Sequence, residues 1–369
     1  MSSCGNFTDF IHAHDAVGLQ VFMTNEQNLR HARNPERNNR ALFDACRVGA
    51  NEICEVMISF EADVNSVIVD QSTPLSIACY NAHPACVDLL LANGADANSS
   101  NLVDCRTPLM ATAAEHDAPV GLTLYQFIGN RCRCVRSLLD VGALIDQTDK
   151  HGFTALMYAV WQFRLAELLV KADADVNIIN NDLNSALHYA CDQNHVEVVE
   201  LLLSRGVDID AVNVDRVTPL HYACNHLHPA VVEMLLCQRA DIDIVANDGG
   251  IALQWALSRA TSSNRVDVLH LMATCAKTRF ESNSADWIRL ARIERAVDVK
   301  LLKDSAGKDG TIYLDIINHI FMSLFAIAYI EKSNLHIFIC ARIIICCIFQ
   351  IQKRLWLSCF LLAYTVSFN

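Results

Sequence analysis

The chain has 369 residues, a formal net charge of −12 and 52% hydrophobic side chains. That length gives room for two domains, and the acidic balance excludes a general nucleic-acid footprint, which needs a basic surface. Sixteen cysteines are present, yet Met1-Ser2-Ser3-Cys4-Gly5 lacks the basic start and apolar run of a secretory leader. Free thiols in a reducing, cytoplasmic compartment are therefore expected rather than a disulfide framework.

In chain order, Phe10–Asp15 followed by Leu19-Gln20-Val21-Phe22-Met23 predicts a degenerate two-helix unit within residues 1–38. From there a short phrase recurs: Ser72-Thr73-Pro74-Leu75, Arg106-Thr107-Pro108-Leu109, Phe153-Thr154-Ala155-Leu156, Asn184-Ser185-Ala186-Leu187-His188, Val217-Thr218-Pro219-Leu220-His221 and Gly250-Ile251-Ala252-Leu253. Counted from Thr73 the steps are 34, 47, 31, 33 and 33 residues, and one step of 33 back lands on Arg40-Ala41-Leu42. A period near 33 predicts a stacked repeat array, with function on a surface that many repeats share.

Each unit reads as two helices. Ser185 is the N-cap of the first, its hydroxyl able to take a free backbone N–H. Where proline follows the cap, at Pro74, Pro108 and Pro219, it occupies the first helical position, where its missing N–H costs nothing. After a turn near Asn194-His195, Val196–Leu203 predicts a second helix, too apolar for one buried face and suited to lying between neighbours. Gly206 closes it as a left-handed cap, and Val207-Asp208-Ile209-Asp210 opens an extended hairpin.

Thr-Pro-Leu-His, then Ala-Cys, an apolar run and closes such as Asn93-Gly94-Ala95-Asp96-Ala97-Asn98, Ala62-Asp63-Val64-Asn65 and Ala174-Asp175-Val176-Asn177 resemble the ankyrin repeat. The resemblance covers roughly residues 5 to 280. It implies an all-α solenoid of helix-turn-helix units with β-hairpin loops, seven repeats over 39–280, beginning near Asn39, Val69, Leu102, Asp149, Asn181, Asn213 and Asn247. It further implies a non-enzymatic scaffold or adaptor whose partners are proteins. Such arrays bind on the concave face, through hairpin tips and the pair of residues after the helix Ala-Ala or Ala-Cys. The pairs expected here are Arg47-Val48, Tyr80-Asn81, Glu115-His116, Trp161-Gln162, Asp192-Gln193 and Asn225-His226. Tyr80 and Trp161 are large aromatics at positions expected to be exposed, the alternative for Trp161 being that it repacks inward. Tip residues Lys150, His151, Asp182, Asp215, Arg216 and Asp248 are expected to be solvated turn residues.

The units are not uniform. Thr107 to Gly142 is 35 residues where Thr73 to Gly94 is 21, which predicts a loop insert near 117–131. Its Leu122, Leu124, Tyr125, Phe127 and Ile128 fit either partner contacts or a local plug. The fourth unit is two residues short, and the seventh long by about four near 260–264. Glu61, Asp173 and Arg239 replace the cap glycine. Cys46, Cys79, Cys191 and Cys224 share one register site that favours a small buried residue.

His221, Cys224, His226 and His228 form one close set and Cys132-Arg133-Cys134 another, but neither has zinc-finger spacing. His221 is the motif histidine, which in ankyrin repeats ties units together by hydrogen bonds. No phosphate loop, nucleophile elbow or His-Glu-x-x-His motif occurs. No catalytic residue, cofactor or metal is expected.

Ala285–Lys303 predicts an amphipathic helix within 281–310 that caps the array. Residues 311–369 form an apolar tail carrying +2, which leaves −14 on the rest. Residues 311–330 have the length of a membrane span, and 335–351 are apolar around Arg342. Three alternatives stand for this tail: a membrane anchor with the array in the cytosol, a segment with no native fold such as translated non-coding sequence, or helices packed on the array. The Pro-containing box of a ligase adaptor is absent from it.

Overall fold

The structure, a computed structural model, describes residues 7–25, 34–67, 72–101, 103–114, 123–258, 267–268 and 271–272. The recurring phrase folds as a helix start. Thr73, Thr107, Thr154 and Thr218 each hold extended backbone while the side-chain oxygen accepts an N–H three residues on, from Ser76 at 3.2 Å, Met110 at 3.2 Å, Met157 at 3.3 Å and His221 at 3.4 Å. The cap satisfies one of the donors that a helix start leaves unpaired, and proline at the next position gives up nothing.

Helices come in pairs: α1 Phe7–Ala13 with α2 Ala16–Thr24, α3 Pro35–Val48 with α4 Asn51–Ser59, α5 Pro74–Tyr80 with α6 Pro84–Ala92, α7 Pro108–Ala113 with α8 Leu124–Asp140, α9 Ala155–Ala159 with α10 Phe163–Lys171, α11 Ala186–Asp192 with α12 Val196–Ser204, and α13 Pro219–His226 with α14 Pro229–Cys237. The odd-numbered helices pack in sequence on one another as an inner layer, α1 on α3 through α11 on α13. The even-numbered ones do the same as an outer layer. Leu42, Leu75, Leu109, Leu156, Leu187 and Leu220 occupy one register site and are all buried. Each such burial contributes roughly 1.5–3 kcal/mol. Cys46, Cys79, Cys191 and Cys224 are buried beside them, and burial pushes the Cys79 and Cys191 thiols far up. The ten described cysteines are all free thiols.

The acidic close of each unit is a stacking device. Asn65, Asn177 and Asp210 each lend Oδ1 to the backbone N–H at the start of the next close, Asp96, Asp208 and Asp241, at 2.8, 2.8 and 2.7 Å. Asp63, Asp175 and Asp208 meanwhile accept the N–H two residues on within their own turn. One side chain in each unit thus fixes its neighbour's register.

The loops depart from the expected β-hairpins. Asp149, Asn180, Asn213 and Ala246 donate to the carbonyls four residues on, at 2.9–3.1 Å, closing tight loops. Isolated bridges such as Ile179–Ser185 form among the described residues, with no strand ladder. Asx side chains take the hydrogen bonds a ladder would have used, as Asn180 Oδ1 does for the Asn184 N–H at 2.8 Å.

The expected 117–131 loop is also corrected: its described part is helix. Residues 117–122 lie outside the described residues, and from Leu124 the chain runs as a 17-residue helix where the outer helices before and after it have nine. Thr123 and Gln126 cap each other to start it, each backbone N–H meeting the other's side-chain oxygen.

Glu61, Asp173 and Arg239 have φ of 62°, 62° and 68°, the left-handed conformation that Gly94, Gly142 and Gly206 hold elsewhere. Arg239→Gly is expected to raise stability by about 0.5–1 kcal/mol, strain relief outweighing the added freedom of the unfolded chain. Urea unfolding checks this, and an unchanged or lower midpoint would contradict it.

Residues 251–369 form a second unit. It opens with helix α15, Ala252–Ser258, and Ile251 donates to Gln254 Oε1 at 2.9 Å. The expected capping helix at 285–303 and the tail at 311–369 lie outside the described residues. Among the described residues no helix is long and apolar enough to cross a membrane.

Candidate functional site

Helices α5, α7, α9, α11 and α13 start from the same cap position of the recurring phrase, so the seventh residue after the cap can be compared between units. These residues are Tyr80, Ala114, Trp161, Asp192 and Asn225, with Arg47 at the equivalent point of α3. Tyr80 is 41% exposed, and Asn81 beside it is half-buried, donating to the Ile77 carbonyl at 2.9 Å. The third unit differs from the expected assignment. Its in-register residue is Ala114, which is buried, while Glu115 and His116 lie outside the described residues.

The fourth unit differs too. Two residues separate Asp192-Gln193 from helix α12, and the first of them, Asn194, has φ 60°; Ala82 and Leu227 hold the same place at 59° and 58°. The fourth unit lacks two residues here, the left-handed one among them. Gln162 is therefore the N-cap of α10, the position of His83, His195 and His228 in the other units. Trp161 keeps its register, half-buried, with its ring edge-on to His195 at 5.2 Å.

Four predicted residues come together around the fifth and sixth units. Asp192 Oδ1 pairs with His226 Nε2 at 3.0 Å, and Asp192 Oδ2 accepts from the Gln193 amide at 2.6 Å. Asn225 Nδ2 lies 3.3 Å from His226 Nε2. The His226 ring stacks on His228 at 5.8 Å and 16°. Trp161 reaches the fifth unit through His195. Tyr80 and Asn81 lie elsewhere along the inner layer.

The sequence reading missed the histidines that start the outer helices. His83 Nε2 meets the Arg47 carbonyl of the preceding unit at 3.2 Å, and His228 Nε2 meets the Asp192 carbonyl at 3.1 Å. A carbonyl only accepts, so each ring donates from Nε2. Burial lowers the pKa of both rings. Gly49 is required beneath His83, since a Cβ there would lie 2.5 Å from Nδ1. The available signal was a histidine recurring just before the second helix at the repeat period.

The motif histidines act as expected. His188 Nδ1 accepts the Ser185 N–H at 3.1 Å while Nε2 meets the Val217 carbonyl of the next unit at 3.2 Å. His221 repeats this with Thr218 at 3.3 Å and Gly250 at 3.4 Å. Cys224 is buried at 0% exposure. Among the described residues no set of three or more histidine, cysteine or acidic side chains could hold a metal ion.

Paired helices in two layers, Thr-Pro caps, histidine ties and an Asx ladder define a stacked two-helix repeat protein. The chain belongs to the ankyrin-repeat family: the pattern described as ankyrin repeats in three copies matches residues 12–101, 162–248 and 187–283, more than half of the chain. It is 27% identical over 175 residues to ankyrin repeat and SOCS box protein 6 of Homo sapiens, a match covering 44% of this chain and 38% of that protein. It is 28% identical over 163 residues to ankyrin repeat and KH domain-containing protein mask-1 of Caenorhabditis elegans, covering 44% of this chain and 6% of that one. The chain thus spans well under half the length of either relative. The human ASB11 ankyrin repeat domain superposes with a TM-score of 0.54 at 26% identity, covering 62% of this chain and 96% of that domain. Ankyrin repeats generally mediate protein–protein interactions.

Proposed function

We propose that the chain is a protein-binding scaffold or adaptor. Its partner lies across the exposed ends of the inner helices and the turns that follow, contacting Tyr80, Asn81, Trp161, Gln162, Asp192, Gln193, Asn225 and His226. The observation that carries this is Trp161. A large aromatic stays part-exposed at a register site where other units place Arg47, Tyr80, Asp192 and Asn225. Binding hot spots are rich in such anchors. The two relatives pair ankyrin repeats with a SOCS box or a KH domain, which supports an array that recruits one protein to another. The free thiols support a cytoplasmic setting.

Trp161→Ala is expected to weaken binding of a purified partner by about 2 kcal/mol, roughly thirtyfold, with the helical fold intact. Calorimetry checks the affinity and circular dichroism the fold. Unchanged affinity would exclude the site, and loss of folding would mean that the ring is a packing residue.

The apolar run 311–330 supports a second proposal, a membrane tether that leaves the array in the cytosol. Carbonate-resistant membrane association of the full chain, lost on deleting 311–369, is its expected result. Recovery of the full chain in the soluble fraction would exclude it.

A further inference from the structure

The outer layer is acidic on most of its helices and basic at one place. Helix α4 exposes Glu52 and Glu55, α6 Asp88, α12 Glu197 and Glu200, and α14 Glu233. Helix α8 instead exposes Arg133 and Arg136, and α10 begins with exposed Arg164. Arg133 is drawn to Asp88 at 4.0 Å, whereas neither Arg136 nor Arg164 forms an ion pair among the described residues. Both lie near Cys132, where their charge opposes the rise that burial imposes on its thiol.

Apolar groups stand beside these charges. Leu124 is 62% exposed, Tyr125 72% and Phe163 40%. The Arg164 guanidinium lies 5.5 Å from the Tyr125 ring centre. Tyr125 and Arg136 are eleven residues apart, about three turns, so they share one face of α8 some 16 Å apart along its axis. Between them on that face is Gly129, where an added Cβ would meet nothing within 4 Å. The result is a dip with an aromatic ring at one end and a guanidinium at the other.

We propose that this face of α8, with Phe163 and Arg164 of α10, is a second docking surface, separate from the inner-layer one. Its occupant is an acidic segment of a partner protein whose aromatic or aliphatic anchor sits over Gly129 and whose carboxylates reach Arg136 and Arg164. Charge complementarity selects a narrow occupant. A flat anionic bilayer would also meet Glu52, Glu55, Asp88, Glu197 and Glu200 of the same layer and be repelled, whereas a peptide can follow α8 without approaching them.

The test pans a phage-displayed random peptide library against the full chain and measures the affinity of enriched peptides. The expected result is enrichment of acidic sequences around an aromatic or aliphatic residue. Their affinity should fall about tenfold or more on the R136E/R164E chain, where each pairing becomes a repulsion. Lysine-substituted versions of the same peptides should recover binding to that variant. Gly129→Leu fills the dip, favours the helix and should block the same peptides. Tyr80→Ala, on the inner layer, should leave them unaffected and so separates this surface from the proposed scaffold site. Enrichment of uncharged or basic peptides, or equal affinity on both altered chains, would overturn the proposal. So would phosphatidylserine-vesicle binding, or self-association of the chain, that is lost in the same variants.

Discussion

Arg131→Met is expected to lower unfolding free energy by about 3 kcal/mol. Arg131 is 1% exposed, among the most buried large side chains of the molecule. Its Nε donates to the Thr112 carbonyl at 2.6 Å and a terminal nitrogen donates to the Ala114 carbonyl. Helix α7 ends at Ala113, so these carbonyls belong to its last turn and its C-cap, where the helix itself supplies no donor. A cation there also suits the negative end of the helix dipole. Phe127 lies under the guanidinium at 5.5 Å and is likewise buried. Methionine keeps much of the volume but leaves two buried acceptors without their donor. Hydrogen bonds to charged groups contribute roughly 1.5–3 kcal/mol each, so a loss at the lower end of the summed range is expected, part of it offset by the apolar methionine. Urea unfolding followed by circular dichroism measures it. Arg131→Lys should recover about half, since one ammonium replaces the planar fork poorly. A loss below about 1 kcal/mol for Arg131→Met would show that the α7–α8 junction does not depend on this side chain.

The second large effect is on acid stability. His188 is 1% exposed, and burial holds its pKa down to about 4. Its two ring bonds fix the neutral tautomer, because the Ser185 N–H can only donate and the Val217 carbonyl can only accept. The unfolded chain takes up this proton near pH 6.5, so between the two values the unfolded state binds more protons and stability rises with pH. The contribution is therefore complete above about pH 6.5, is lost as pH falls towards 4, and amounts to about 3 kcal/mol at full extent. Burial lowers the pKa of His221, His83 and His228 as well, which adds to the same trend. Chemical denaturation between pH 4 and 7 is expected to show a steep acid loss. His188→Gln should flatten it while lowering stability at neutral pH. An unchanged slope in that variant would contradict the assignment.

Much of the fold was legible because its determinants are local and repeated. A cap threonine or serine, a proline in three units and a buried leucine at a period near 33 announce most inner helices regardless of their neighbours. Glu61, Asp173 and Arg239 were legible as left-handed caps because the register placed them where glycine stands elsewhere. The surplus of the third unit was less legible, since length alone does not separate a loop from a longer helix. Its helical signal was present in Thr123 and Gln126 as a capping box, and in Phe127, Arg131, Cys134 and Leu138 at helical spacing. An arginine in that stripe has no counterpart in an apolar face, and the position of the α7 carbonyls explains its burial. The expected strands failed because Asx side chains, rather than a ladder, satisfy the loop backbone. In the candidate site, Gln162 was displaced by two missing turn residues, which change the role of one side chain and leave the period almost untouched. The Asp192–His226 pair depends on contact between units, which the repeat pattern implies only as neighbourhood.

We propose that the inner-layer helix ends form the protein-binding surface. Site-specific photocrosslinking tests it most directly, with a benzophenone amino acid placed in the full chain at Tyr80, Gln162 or Gln193, and at Glu200 on the outer layer as the control. The predicted result is that the three inner positions crosslink to one and the same partner protein and Glu200 does not. A partner captured from Glu200 and from none of the inner positions would contradict it.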